Sequence, residues 1–163
     1  MMKWTLIVRL THWLVAAGVI VNFFNESGYA HRFIGYVCAA LVLLRLVNGF
    51  CFARIEASTL HLPGVKAIKS HLQSLLKRET HDYVGHNPLG QYAVYVMWTL
   101  ILLLALTGWL SRTDELWGED WPVDLHEALS YCLQGMVVLH LLAVTLLSKW
   151  QGKNLISAMI RGK

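Results

Sequence analysis

Residues 126–150 read HEALSYCLQGMVVLHLLAVTLLSKW. Between Glu127 and Lys149 the stretch carries no charged side chain. Its length and its Leu and Val content suit a bilayer core, which a helix of roughly 20 apolar residues can cross. Two histidines punctuate it, His126 and His140, fourteen residues apart. At roughly 100° per residue, fourteen steps fall within about 40° of four whole turns, so both imidazoles leave one face of a helix. At roughly 1.5 Å per residue they lie about 21 Å apart along the axis. An apolar helix with one imidazole near each membrane face, both on one side, can hold two stacked cofactors. The rest of the chain has to complete the two sites.

Working outward, three more runs are long and apolar enough to span a membrane. With the first they give expected helices at about residues 4–24, 33–53, 91–110 and 126–148. The chain has 163 residues, 56% hydrophobic and 15% charged, against roughly 25% charged in an average soluble domain. The expected fold is therefore all-α: an integral membrane four-helix bundle, up-down, forming one domain over residues 1–163. Membrane lipid surrounds such a bundle, and no nucleic-acid partner is expected. Lys3 and Arg9 before an apolar stretch, with Gly28-Tyr29-Ala30 after it, could suggest a cleaved signal peptide. The stretch is long for a signal core, so it is read as a retained span. Cys38, Cys51 and Cys132 lie in or beside the apolar runs without C-x-x-C or C-x-x-C-H spacing. They are read as packing residues, and any haem as non-covalently held.

Charge sets the expected orientation. Twelve of the fourteen Lys and Arg residues lie at the N-terminus, with the 54–90 loop (counting Arg45 with it), or at the C-terminus. The positive-inside rule then makes both termini cytoplasmic. The loop at 111–125 carries Asp114, Glu115, Glu119, Asp120 and Asp124 against Arg112 alone, and faces outward, into a periplasm. Within the 54–90 loop, Val65–Leu76 has helical apolar spacing with lysines between, as in an interfacial helix. His61, His71 and His81 are read as solvated surface residues. Pro88 suits a helix's first turn and Asn87 its cap.

Depth then sorts the histidines. His12 lies about 12 Å inside the first span and His140 about 13 Å inside the last, both from the cytoplasmic end. His31 and His126 both stand at outer ends. The pairs are therefore His12 with His140, and His31 with His126. Two imidazoles saturate a haem iron and suit electron transfer. Arg45 follows His31 by fourteen residues, on the same face and one layer deeper. A buried arginine in a membrane needs an anionic partner, and a haem propionate would serve. Arg9, one turn before His12, is the second expected propionate partner.

Several motifs carry a resemblance: Arg9-x-x-His12-Trp13, His31-x-x-x-Gly35, Arg45-Leu-Val-Asn-Gly49, Gly85-His-Asn-Pro-Leu-Gly90, Leu106-Thr-Gly108 and the fourteen-residue histidine pair. Together and in this order they resemble the bacterial cytochrome b561 and hydrogenase b-type cytochrome superfamily. The resemblance implies a four-helix membrane bundle with two non-covalent b haems, ligated from helices one, two and four. It also implies electron exchange with quinone in a respiratory chain of the bacterial inner membrane. Related formate dehydrogenase cytochrome subunits place a quinone beside an Asn and a Gln at the start of helix three; Asn87 and Gln91 look like those residues, and His86 could join them. The expected function is electron transfer between the quinone pool and a periplasmic partner such as a c-type cytochrome. The alternatives weighed are a superoxide:ubiquinone oxidoreductase, an anchor subunit of a larger dehydrogenase or hydrogenase, and a histidine-lined transporter. An acidic outer loop repels superoxide, and few carboxylates lie in the spans to line a transport path.

Overall fold

The computed structural model describes residues 4–53, 59–76, 87–152 and 154–162. Those residues are helical, with no strand among them. Six α-helices follow in order: α1 (Leu6–Phe24), α2 (Gly28–Val47), α3 (Val65–Leu76), α4 (Pro88–Leu110), α5 (Trp121–Gln151) and α6 (Leu155–Arg161). A π-helical turn, Asn48–Phe52, extends α2, and a short 3-10 turn, Asp114–Leu116, precedes α5. Helices α1, α4, α5 and the α2–π unit are long and apolar enough to cross a membrane. Large apolar side chains such as Leu44 and Leu146 lie on their outer faces, about two-thirds exposed. That arrangement suits hydrocarbon, because helices satisfy their backbone polar groups internally.

Local chemistry sets the helix ends. The Asn25 N–H closes α1 onto the Val21 carbonyl at 3.0 Å. Gly28, at φ 92°, lets the chain reverse within three residues and start α2. So α2 begins five residues before the expected position of about 33, and His31 lies on the helix rather than ahead of it. Likewise α5 starts at Trp121, with Pro122 in its first turn and Asp124 beside the N-terminal dipole. At about 1.5 Å per residue α5 is longer than a bilayer core, so its ends stand beyond the hydrocarbon. Asn87 caps α4, its Oδ1 accepting from the Gly90 N–H at 2.7 Å.

The helices pack in series: α1 on α2, α2 on α4, and α4 on α5. Val19, Cys38, Val42, Ile101 and Leu133 form the buried centre. By contrast, α5 scarcely approaches the backbone of α1 or α2. Helix α6 spans that side from below. It packs on α5, and its Ala158 joins Trp4 and Val8 of the α1 end. The Arg9 guanidinium donates to the carbonyls of Met159 (3.3 Å) and Ile160, and Trp13 Nε1 donates to Met159 at 3.4 Å. These groups supply donors to carbonyls that a helix C-terminus leaves unpaired.

Two sequence readings change here. His71 is buried at 5% exposure, because α3 lays one face against α4 while Lys66 and Lys69 face outward. Of the cysteines, Cys38 packs inside, whereas Cys51 and Cys132 are exposed on outward faces. The α1–α2 contact depends on Gly18. A Cβ there would stand 2.5 Å from Cys38 Sγ and 3.2 Å from Ile34 Cγ2. The thiol also donates weakly to the Val15 carbonyl at 3.9 Å, so moving it aside forfeits that contact. Gly18→Ala should cost about 1–3 kcal/mol as overpacking, read as a lower unfolding temperature in detergent; an unchanged midpoint would show that the helices part freely.

Candidate functional site: two imidazole pairs between the spans

The gaps left beside α5 are where the histidines meet. His12 from α1 and His140 from α5 bring their ring centroids to 6.4 Å, with planes 50° apart. His31 from α2 and His126 from α5 come to 6.0 Å, with planes 65° apart. The first pair lies toward the basic end of the molecule, which holds Leu6, Phe52 and Lys149. The second lies toward the acidic end, which holds Asn25 and Asp114. Around the acidic-end pair the side chains leave a cavity of about 100 Å³, lined by Val19, Phe23, Gly35, Leu104, Gly108 and Leu133 among others.

The acidic-end rings are held by their Nδ1 atoms. His31 Nδ1 lies 2.6 Å from the Asn25 carbonyl oxygen. His126 Nδ1 lies 2.9 Å from Thr107 Oγ1. Asn22 Nδ2 adds a bond to the His31 carbonyl at 3.0 Å, fixing the start of α2 against the end of α1. At the basic end, His12 sits edge-on to Trp13 at 5.1 Å, and its buried Nδ1 has no hydrogen-bond partner among the described residues. Sequence reading missed Thr107 and Asn22. A threonine before a glycine reads as a packing motif, and the carbonyl of Asn25 has no sequence signature.

The other expected site residues are placed as follows. Arg45 is buried at 4% exposure and stands 5.9 Å from the Trp98 ring. Gly49 gives it room, since a Cβ at Gly49 would run into the Arg45 guanidinium and the Leu60 side chain. The π turn that carries Gly49 is itself tied back by a bond from the Leu60 N–H to the Gly49 carbonyl at 3.0 Å. Gln91 is buried at 2% exposure near Tyr95, and its amide nitrogen has an unfilled hydrogen-bonding position. Tyr95 Oη donates to the His61 carbonyl at 2.8 Å and stacks near Phe50. Asn87 is committed to its cap, Arg9 engages α6, and His86 lies outside the described residues.

These features define a class: a helical multi-pass membrane protein with paired imidazoles between its spans. The family follows from comparison. The chain belongs to the prokaryotic cytochrome b561 family, whose model matches residues 3–162. A stretch of 53 residues, 32% of the chain, is 36% identical to a probable Ni/Fe-hydrogenase B-type cytochrome subunit of Rhizobium leguminosarum bv. viciae. The match spans 22% of that relative's length. No solved structure matches. Membership of a cytochrome b561 family implies haem b as the prosthetic group.

The residues present fit that group. A metal–imidazole bond is about 2 Å and the ring centroid lies about 1.1 Å behind the nitrogen, so two rings on one metal have centroids about 6.3 Å apart. Both observed separations lie close to that distance. Among the described residues, no group of three or more His, Cys, Asp or Glu gathers at one point. Pairs of imidazoles suit an iron whose other ligands come from a porphyrin.

Proposed function

We propose that this chain is a diheme b-type cytochrome of the bacterial inner membrane, passing electrons between the quinone pool and a periplasmic redox partner. Its four spans form one bundle domain with both termini in the cytoplasm. His12 and His140 hold the cytoplasmic-side haem; His31 and His126 hold the periplasmic-side haem. The observation that carries this reading is the pair of imidazole separations, each the width of one bis-ligated iron.

Haem b, when bound, supplies a one-electron Fe(III)/Fe(II) couple. The chain's own groups do the rest. The four imidazoles would hold two haems at different heights along α5, so that electrons can cross the membrane's thickness. Arg45, buried near the basic end, provides a cation for a propionate, shielded from water. Arg9 is held by α6, which favours a fastening role for it over propionate binding. At the start of α4, Gln91 offers a buried amide donor to a quinone carbonyl. Asn87, with His86 beside it in sequence, lies near the water boundary, where the two protons of a quinone/quinol couple can be exchanged. Quinol oxidation releases two electrons and two protons, so it serves two one-electron partners per turnover.

The acidic loop is the docking face. Asp114, Glu115, Glu119 and Asp120 are all exposed there, around the exposed Trp117. They suit a basic partner such as a c-type cytochrome. Replacing the four by Asn or Gln should slow association about tenfold at low ionic strength and flatten its salt dependence. Stopped-flow kinetics with a basic cytochrome c checks this, and unchanged rates would remove the loop from the mechanism.

A pyridine haemochrome assay on the detergent-purified chain tests the central reading. The expected result is two b haems per chain; no haem would refute it. A second reading, membrane subunit of a larger dehydrogenase or hydrogenase, draws on what the Rhizobium relative's name says of that protein. Co-purification from native membranes separates the two.

A further inference from the structure

The two imidazole pairs differ in how their far nitrogens are held. Beside His31 Nδ1 is a backbone carbonyl, at 2.6 Å. A carbonyl can only accept, so Nδ1 carries the proton and Nε2 keeps its lone pair. Beside His126 Nδ1 is the Thr107 hydroxyl, at 2.9 Å. That hydroxyl also lies 2.9 Å from the Leu103 carbonyl and 3.3 Å from the Leu104 carbonyl. The assignment that satisfies every group runs from His126 Nδ1–H to Thr107 Oγ1, and from Oγ1–H to the Leu103 carbonyl. Gly108 completes the seat, since a Cβ there would crowd His126 Cε1 at 3.3 Å. At the basic end, His12 Nδ1 is buried with no such acceptor among the described residues.

We propose that Thr107 is a positioning residue which, with the Asn25 carbonyl, makes the acidic-end pair the stronger electron donor and sets its reduction potential below that of the basic-end pair. The proposal rests on the reading of both pairs as haem ligands. An acceptor on Nδ1–H fixes the tautomer and raises the basicity of Nε2. A more basic ligand favours the ferric over the ferrous state, which lowers the potential. The buried cation of Arg45, toward the other end, acts in the same sense by favouring the reduced state there. An electron from a one-electron reductant at the acidic end then runs downhill to the basic end. There a quinone takes two such electrons and two protons to become quinol.

The test is a potentiometric titration of the full-length protein, followed optically. Wild type, Thr107→Val, Thr107→Ala and Thr107→Ser are compared, and His126→Ala assigns which component belongs to the acidic end. Thr107→Val and Thr107→Ala should each raise one potential by about 59 mV, a tenfold change in a one-electron equilibrium constant. Thr107→Ser, which keeps the hydroxyl, should restore it. The component that moves should be the lower one, and the one missing in His126→Ala. Unmoved potentials in whichever apolar variant accumulates would overturn the proposal. So would a lower-potential component that survives in His126→Ala, or haem loss from the apolar variants with the remaining potentials unchanged. A wild-type protein without two haems would instead defeat the ligand reading itself.

Discussion

Replacing His126 with alanine is expected to remove the periplasmic-side haem and leave the cytoplasmic-side haem in place. His12→Ala should do the reverse. Each variant keeps three of the four imidazoles, and the pairs are fourteen residues apart along α5, so loss of one haem need not carry the other away. The effect is large because a site that has lost one of its two imidazoles would hold a non-covalent haem through a single side chain. Haem content should fall from two to one per chain, with a different spectral component missing in each variant. The thermal midpoint should fall as well. Helix α5 makes few backbone approaches to α1 or α2, though Leu133 shares the buried centre with them, so each bis-ligated haem would add a fastening between these helices. Equal loss of both components in either variant would mean that the pairs are not independent sites.

Gln91→Leu is the second large expectation. Gln91 is 2% exposed, and its amide nitrogen still has a hydrogen-bonding position to fill. Leucine keeps most of the volume, so the packing beside Tyr95 should survive. A quinone carbonyl would lose its donor. Leaving a buried polar group unpaired costs about 1–3 kcal/mol, or roughly ten- to a hundredfold in quinone KM. Haem content and both potentials should stay at wild-type values. A variant with normal quinone kinetics would return Gln91 to a purely structural role, and one that loses haem would place it near the ligands instead.

The parts of this molecule that repeat with a helical period were legible in its sequence. Four long apolar runs marked the spans, and the spacing of Val65–Leu76 marked α3 to the residue. That four rings meet as two pairs could be read from depth, because Lys and Arg set an orientation and residue counts set heights. Side-chain to backbone bonds between distant segments were not legible. Arg9 meets Met159 across 150 residues, and no periodicity records that contact. Thr107 looks like any small residue at a helix contact until its hydroxyl is seen facing His126. His71 was misjudged because the amphipathic face of α3 turns inward onto α4 at that position rather than toward solvent. The start of α2 was placed late because Gly28, Tyr29 and His31 are not hydrophobic enough to register as part of a span, yet the backbone there is already helical.

The clasp between α6 and α1 carries a consequence for how the molecule is made. Helix α6 follows all four spans in the chain, whereas Arg9 and Trp13 lie at the start of the first. During synthesis α1 and α2 can pair early, but the gap between α1 and α5 stays unbridged from below until α6 has left the ribosome. Assembly therefore includes an interval in which every span is inserted and the bay between the first and fifth helices is still open. A flat, bulky cofactor entering from the side would have that interval open to it, and the closing of α6 over Arg9 would end it.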